Sequence, residues 1–599
     1  MSFAARGAVT LGGVLGEALE ANRRGRLSTF IIDENSPAIA IFAPESVAAN
    51  FEGDWYGEHA GKWLIAATRA AVRAGDAALL ARVCHVADWL VARQDSDGYL
   101  GNYAPERRFM RPQPPKPVTW DGAPAERTWD IWTHSYLILG LVELWRAVSD
   151  DRYLSAARAI GDLAWRTLKG GEVSIIDLGN HFGLSATVLL DAAMALYEAS
   201  GEARYLHLGE LIVDAMEGEP RNRLPSMAIA GADPSEIATG KSYQLLWNLV
   251  GLAKLYRATG EARYLDAVRA QWAAVRERHL TLGGGPWGGV AHRSREVFNA
   301  ANAWSPEGYV ETCSIMAWIQ LNRELLGILG DAAVAQEIER SAYNDLLAAQ
   351  APDGEDWCYY QFPNGRRTHT TYWRCCKSSG AMALEELPGV AYGVRDGAAA
   401  INLLGPGNAR LELPGVGPVT IRQEGRYPFA GPIAITVDAE REASFALAIR
   451  IPDWAAGATL TVDGEAITAT AGDYARIERL WRAGDTVTLD LPMPPVVRHA
   501  EQRNVQESLA PSGEPVAQEV LHRDWMALTR GPLAYATGLI DGFKRSETVR
   551  FDGAPEVMAE GDALVLHSAG RAPIRFEPWF LAGERQDGSW RLTWLEVAP

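Results

Sequence analysis

From Trp55 onward apolar residues recur at helical spacing, in two kinds of segment. One kind is apolar nearly all round, as in Tyr136-Leu137-Ile138-Leu139-Gly140-Leu141-Val142. The other is amphipathic, as from Tyr264 to Val275. A helix apolar on every side must be buried, and one with a single apolar stripe covers it. The two kinds alternate around a recurring phrase: Asp151-Arg152-Tyr153-Leu154, Ala203-Arg204-Tyr205-Leu206 and Ala262-Arg263-Tyr264-Leu265. Each phrase follows a Gly, Ser, Asp or Glu turn. Ala74-Gly75-Asp76-Ala77 and Leu329-Gly330-Asp331-Ala332 are weaker echoes. A repeat of helix pairs separated by long loops predicts an α/α toroid, with about six pairs between Trp55 and Gly393. Such barrels carry their sites on the long-loop face. The residues before about 50 read as a lead-in.

Near Ala398 the period changes to two. Ile433 to Val437, Phe445 to Ile451 and Thr486 to Leu491 alternate like strands, with Asp463-Gly464 as a hairpin turn and Pro452 and Pro492 as strand ends. The stretch from His499 to Glu519 is polar and aperiodic and reads as a connecting loop. Short strands follow, at Ala563 to Leu566 and Trp590 to Leu595. The predicted fold is a multidomain α+β protein, an (α/α)6 helical barrel followed by β-sandwich domains. The predicted division is a lead-in and barrel catalytic domain over 1–397, a β-sandwich over 398–495 and a β-rich C-terminal domain over 496–599.

A chain of 599 residues exceeds one ordinary core, in keeping with that division. Its net charge of −18 disfavours nucleic acid and anionic lipid surfaces. No apolar run is long enough to span a bilayer, and the first 25 residues lack a signal-peptide core, so no membrane partner is expected. Five cysteines with no disulfide framework suit a reducing compartment, and the cytoplasm is the predicted location. A homodimer is allowed. The 21 Trp and 19 Tyr lean toward sugar binding, although large helical cores also use them.

Cys375 and Cys376 are adjacent, in Tyr372-Trp373-Arg374-Cys375-Cys376-Lys377-Ser378-Ser379-Gly380. With Glu311 and Cys313, in Glu311-Thr312-Cys313, they offer one carboxylate and three thiolates, a donor set for tetrahedral zinc. On the residues alone, buried hydrophobic cysteines explain them equally well. Cys84 and Cys358 read as core. The two cysteine motifs, together with Arg295-Glu296-Val297-Phe298, Gln94-Asp95-Ser96-Asp97-Gly98-Tyr99-Leu100-Gly101 and Arg530-Gly531-Pro532-Leu533, resemble glycoside hydrolase family 127, the β-L-arabinofuranosidase family.

The resemblance implies a retaining glycosidase acting on an oligosaccharide or glycoside, with Zn2+ as cofactor. It casts Cys375 as nucleophile and Glu296 as acid/base, with Glu311, Cys313, Cys375 and Cys376 as metal ligands. His134 becomes a sugar contact, and His181 takes the same place one repeat on. Tyr99, Glu58 and His59 are weaker candidates for lining the pocket; His279, His499 and His567 are left to surface or core. Three features depart from the family pattern: Lys377-Ser378-Ser379 after the cysteine pair, Arg295 before the acid, and Lys241 where some relatives carry histidine. Three added cations raise the alternative of a carboxylated sugar, with Lys241 and Arg295 binding it. Readings of other classes are a sugar epimerase or lyase on the same barrel, and a non-catalytic sugar-binding protein with structural zinc.

Overall fold

The computed structural model describes residues 1–50, 55–109, 128–289, 296–301, 303–370, 375–540 and 546–598. Its long helices are α1 (Gly13–Arg24), α2 (Glu58–Ala74), α3 (Ala77–Val91), α4 (Asp130–Val148), α5 (Asp151–Leu168), α6 (Leu189–Ser200), α7 (Ala203–Gly218), α8 (Ser242–Thr259), α9 (Ala262–Arg278), α10 (Thr312–Leu329), α11 (Ala332–Ser341) and α12 (Cys375–Leu384). The even-numbered helices pack each against the next, and α12 returns to α2, closing an inner ring. The apolar segment of α4 is part of that ring, with Tyr136, Leu137, Ile138 and Leu141 fully buried. The remaining helices lie outside it.

The recurring phrase is the first turn of an outer helix. The inner helix before it ends on a left-handed residue: Gly75, Ser149, Gly201, Gly260 or Gly330. That conformation closes the helix and reverses the chain, and glycine adopts it without a Cβ clash. An acidic residue then starts the outer helix. Asp76, Asp150 and Asp331 each accept a backbone N–H of its first turn. Tyr153, Tyr205 and Tyr264 anchor α5, α7 and α9 in the core.

The first residues correct the reading of a lead-in. Helix α1 buries Leu15, Ala18, Leu19 and Asn22 and packs on α12 and α2, so it is the outer member of the sixth pair. Its apolar stripe is only a few residues long and is interrupted by Gly16 and Glu17, which hid it. Ser2–Phe3 and Val9–Leu11 are strands of the two sheets of the following sandwich. One sheet runs in the order Ser2–Phe3, Tyr392–Arg395, Ala398–Ile401, Ala443–Arg450, Tyr474–Trp481. The other runs Glu465–Thr468, Thr459–Val462, Asp485–Asp490, Ile433–Ala439, Gly417–Gly425, Gly407–Leu413, Val9–Leu11. Alternate residues of Ile433–Ala439 are buried, as period two requires.

The stretch from His499 to Glu519 is not a loop. Pro495–Leu509 and Pro515–Arg530 form one long antiparallel hairpin, paired from Pro495↔Arg530 to Leu509↔Pro515. The described side chains of its outer half are mostly exposed on both faces, so no burial alternation marked it; backbone pairing defines it, with an Arg503–Glu519 ion pair across the strands. Its base, Trp525 to Leu528, is buried in a third sheet. Trp590–Leu592 leaves that region to pair with Asn364–Arg366 in the loop before α12, tying the C-terminal region to the barrel.

Candidate active site and metal centre

The long loops precede the inner helices, and the candidate residues sit where those loops enter them. Cys375 and Cys376 are the first two residues of α12, and Cys313 is the second of α10, just after the strand Tyr309–Glu311. Lys241 immediately precedes α8, and His134 lies in the opening turns of α4. Unpaired N–H groups at helix starts favour anions, including thiolates.

Glu311, Cys313, Cys375 and Cys376 are all buried, and their ligand atoms lie within 4.8 Å of one another. Cys313 Sγ is 3.6 Å from Cys375 Sγ and 3.2 Å from Cys376 Sγ; Cys376 Sγ is 3.8 Å from Glu311 Oε1. Three sulfurs and one carboxylate at this spacing fit a thiophilic divalent ion such as zinc. The protein alone distinguishes the thiols. Hydrogen bonds from Cys313 and Cys376 hold Cys375 well below the ordinary thiol range, aided by the Lys62 charge and the Tyr359 hydroxyl 3.4 Å away. Burial pushes Cys313 and Cys376 up. Burial, with the nearby Glu296 charge, raises Glu311 to about 8. Three buried thiols thus favour one thiolate unless a cation joins them.

Glu296 stands beside this cluster. Lys241 Nζ bonds its carboxylate and lies 3.6 Å from Glu311 Oε2, bridging the two acids. Burial would lower Lys241, but Glu296 and Glu311 more than reverse that and raise it. Tyr360 donates to Glu296 Oε1 at 2.5 Å, and the Glu296 carbonyl accepts from the Ser242 N–H and hydroxyl at 3.0 Å each. Glu296 itself is left-handed, with φ of 60°, a conformation seldom kept by a residue with a side chain. Adjacent tyrosines therefore serve adjacent groups, Tyr359 the thiol of Cys375 and Tyr360 the carboxylate.

The other predicted residues lie around this centre. His134 is fully buried, edge-on to Tyr99 and Phe109 at ring distances of 5.1 and 5.9 Å, and burial lowers it to about 3. Tyr99 commits its hydroxyl to Asp130, so it meets the site through its packing on His134. His181 is left-handed, and its Nδ1 lies 2.7 Å from Thr239 Oγ1, two residues before Lys241. Arg295 lies outside the described residues. Lys377 turns away from the sulfurs to Asp356, at 2.5 Å, which removes it from the group of cations expected around a sugar. His279 is buried and bound to Asp233. Cys358 is buried outside the cluster.

Sequence reasoning missed Lys62, Ser378, Ser379, Tyr359 and Tyr360. Lys62 is fully buried, 3.0 Å from Glu58, and donates at 2.9 Å to Ser379 Oγ, which lies 3.2 Å from Cys313 Sγ. Ser378 Oγ is 2.8 Å from His59 Nδ1. The Lys377-Ser378-Ser379 departure is thus absorbed by a local network behind the sulfurs. The signal was present: Glu58 and Lys62 are spaced one turn apart on a segment whose other residues are mostly apolar. Burial raises Glu58 to about 7, although the Lys62 charge opposes the shift.

Residues 21–389 match the family description "Beta-L-arabinofuranosidase, GH127 catalytic domain", and residues 398–493 match the "middle domain" of the same family. A helical barrel with this cluster on its loop face and a sandwich behind it is that of a glycoside hydrolase. The chain belongs to glycoside hydrolase family 127. A curated non-reducing end β-L-arabinofuranosidase of Bifidobacterium longum subsp. longum is 22% identical to it over 525 residues, 80% of this chain and 75% of that one. The crystal structure of a GH127 β-L-arabinofuranosidase from Geobacillus stearothermophilus T6 superposes with a TM-score of 0.76 at 21% identity, covering 98% of this chain and 100% of that one. A second GH127 β-arabinofuranosidase structure gives 0.79 at 19% identity, covering 100% and 98%.

Proposed function

We propose that the protein is a retaining, β-L-arabinofuranosidase-like hydrolase in which Cys375 is the nucleophile and Glu296 the acid/base. The observation that carries this reading is the convergence of Glu311, Cys313, Cys375 and Cys376 within 4.8 Å, with Glu296 held beside them by Lys241 and Tyr360. A zinc ion would be held by Glu311, Cys313, Cys375 and Cys376, and when bound it would supply positive charge that keeps the sulfurs deprotonated and makes them better leaving groups. In the first step the Cys375 sulfur attacks the anomeric carbon. The bond to the aglycone oxygen breaks, and Glu296 gives that oxygen its proton. In the second step Glu296 takes a proton from water, the water oxygen attacks the same carbon, and the C–S bond breaks with its electrons returning to sulfur. Two inversions leave the anomeric configuration unchanged.

A neutral furanoside is favoured over a carboxylated sugar, because Lys241 and Lys377 are already compensated by Glu296, Glu311 and Asp356. An epimerase or lyase would have no use for the sulfur cluster. The free thiols also fit the cytoplasm. The test is a screen of aryl furanosides and uronides with and without chelator, alongside metal analysis of the purified protein. Hydrolysis of β-L-arabinofuranosides with retention, lost on chelation and restored by zinc, is the expected result. Full activity of Cys375→Ser, or activity indifferent to chelator, would sink the mechanism.

A further inference from the structure

The pairing of Trp590–Leu592 with Asn364–Arg366 gathers a concentration of positive charge that the proposed chemistry does not use. It places Arg591 opposite Gly365. The ladder continues with Arg367 N–H bonded to the Ser589 carbonyl at 2.7 Å. Arg591 and Arg367 are therefore diagonal neighbours on one face, where side chains approach within reach of each other. Both are fully buried. Among the described residues, the Arg591 Nε, Nη1 and Nη2 find no protein acceptor, nor do Arg367 Nε and Nη1. Arg591 lies over the Trp579 ring at 3.8 Å, and Arg367 makes only long contacts, 3.3 and 3.5 Å, to the Phe580 and Trp579 carbonyls. Arg585 is half-buried, close enough for its charge to act on Arg367; its Nη2 donates to the Gln350 and Leu347 carbonyls at 2.9 and 3.4 Å, and its Nε finds no acceptor.

The surroundings offset this charge only at a distance, Asp345 acting on Arg591 and Glu17 on Arg585. Among the described residues no carboxylate oxygen lies within 4 Å of any of the three guanidinium groups. Asp345 is the buried acid nearby, and its oxygens are taken by Thr281, Gly285 and Trp579. Asp587 is mostly exposed and serves His369. Burial pushes the Cys358 thiol up and lowers His369 to about 4, so neither supplies negative charge near neutrality. Burial, with the Arg591 and Arg585 charges, brings Arg367 down to about 9; burial brings Arg591 to about 10 against the opposing pull of Asp345. Water can satisfy N–H groups but leaves the charge uncompensated, and an uncompensated buried charge is strongly destabilising.

We propose that Arg367 and Arg591, with Arg585 at their edge, form a buried site for a small inorganic anion of the halide type, which completes the seam between the C-terminal region and the loop before α12. The site is separate from the sulfur cluster and does not depend on the catalytic reading.

The test uses the full-length protein as isolated, in sodium chloride, bromide or gluconate at one ionic strength. Chloride and bromide are expected to raise Tm above the gluconate value, by roughly 2 °C or more at saturation. A crystal grown in bromide should show an anomalous peak between the Arg367 and Arg591 guanidinium groups. Arg591→Gln should flatten the halide response; Arg367→Gln serves if that variant does not fold, and the wild-type anion series stands without either. Equal Tm in all three salts, together with no anomalous peak at the arginines, would overturn the proposal.

Discussion

Cys375 is the residue on which the proposed chemistry converges, and oxygen cannot take its place. A serine hydroxyl is neither a comparable ligand for zinc nor ionised near neutrality. Cys375→Ser should therefore lower kcat/KM by roughly a thousandfold or more while leaving the fold intact. Kinetics on an aryl furanoside and a circular-dichroism melt check the two halves of that statement. His134 makes a prediction of another kind. Its folded-state pKa is about 3, against an unfolded value near 6.5. Above 6.5 the imidazole is neutral in both states and pH has no effect through it. As pH falls from 6.5 toward 3, the unfolded chain binds the proton and the folded one does not. Stability is then lost at roughly 1.4 kcal/mol per pH unit. Melts of the wild type and His134→Gln between about pH 7 and 5 should diverge, the wild type falling more steeply; parallel curves would remove His134 as the cause. The cysteine and glutamate motifs were legible because their residue types are rare or strongly patterned. Lys62 left a signal in its one-turn spacing from Glu58, but its link to the sulfurs through Ser379, like the roles of the two tyrosines, depends on neighbours far away in the chain.

At the scale of elements, the turn between inner and outer helices is the repeating device. Four turns use glycine in the left-handed conformation and one uses Ser149. A Cβ at Gly260 would meet open space, so the effect of Gly260→Ala is purely conformational. It should destabilise by about 1 kcal/mol. Ser149→Gly relieves the same strain and should be neutral or stabilising, by up to about 1 kcal/mol. Chemical denaturation of the pair reads the contrast directly, and equal destabilisation by both would contradict the account. The turns were visible in sequence because glycine followed by an acidic residue marks a helix end and the next cap together. The long hairpin was not visible. Period two appears only when one face is buried, and from Glu501 to Val520 neither is.

For the whole molecule, the sequence showed a barrel and then a sandwich, and the structure interlocks them. Val9–Leu11 is an edge strand of the seven-stranded sheet, Ser2–Phe3 ends the five-stranded one, and α1 completes the sixth helix pair outside the inner ring. Trp590–Leu592 ties the other end of the chain to the loop before α12. Nothing in local sequence reveals such seams, because strand partners hundreds of residues apart share no pattern. Removing residues 1–11 should lower the Tm of barrel and sandwich together, by several degrees, as one calorimetric transition. An unchanged Tm, or separation into two transitions with only the sandwich affected, would show the seam to be of little consequence.

The place of α1 in the sixth pair also bears on how the chain comes off the ribosome. It packs against two ring helices: α2, made soon after it, and α12, which the ribosome reaches only after the other five helix pairs. At ordinary elongation rates that interval lasts tens of seconds. During it the leucines of α1 have only part of their final covering. The apolar face of α1 is therefore covered in full only once the last arc of the circle has been translated.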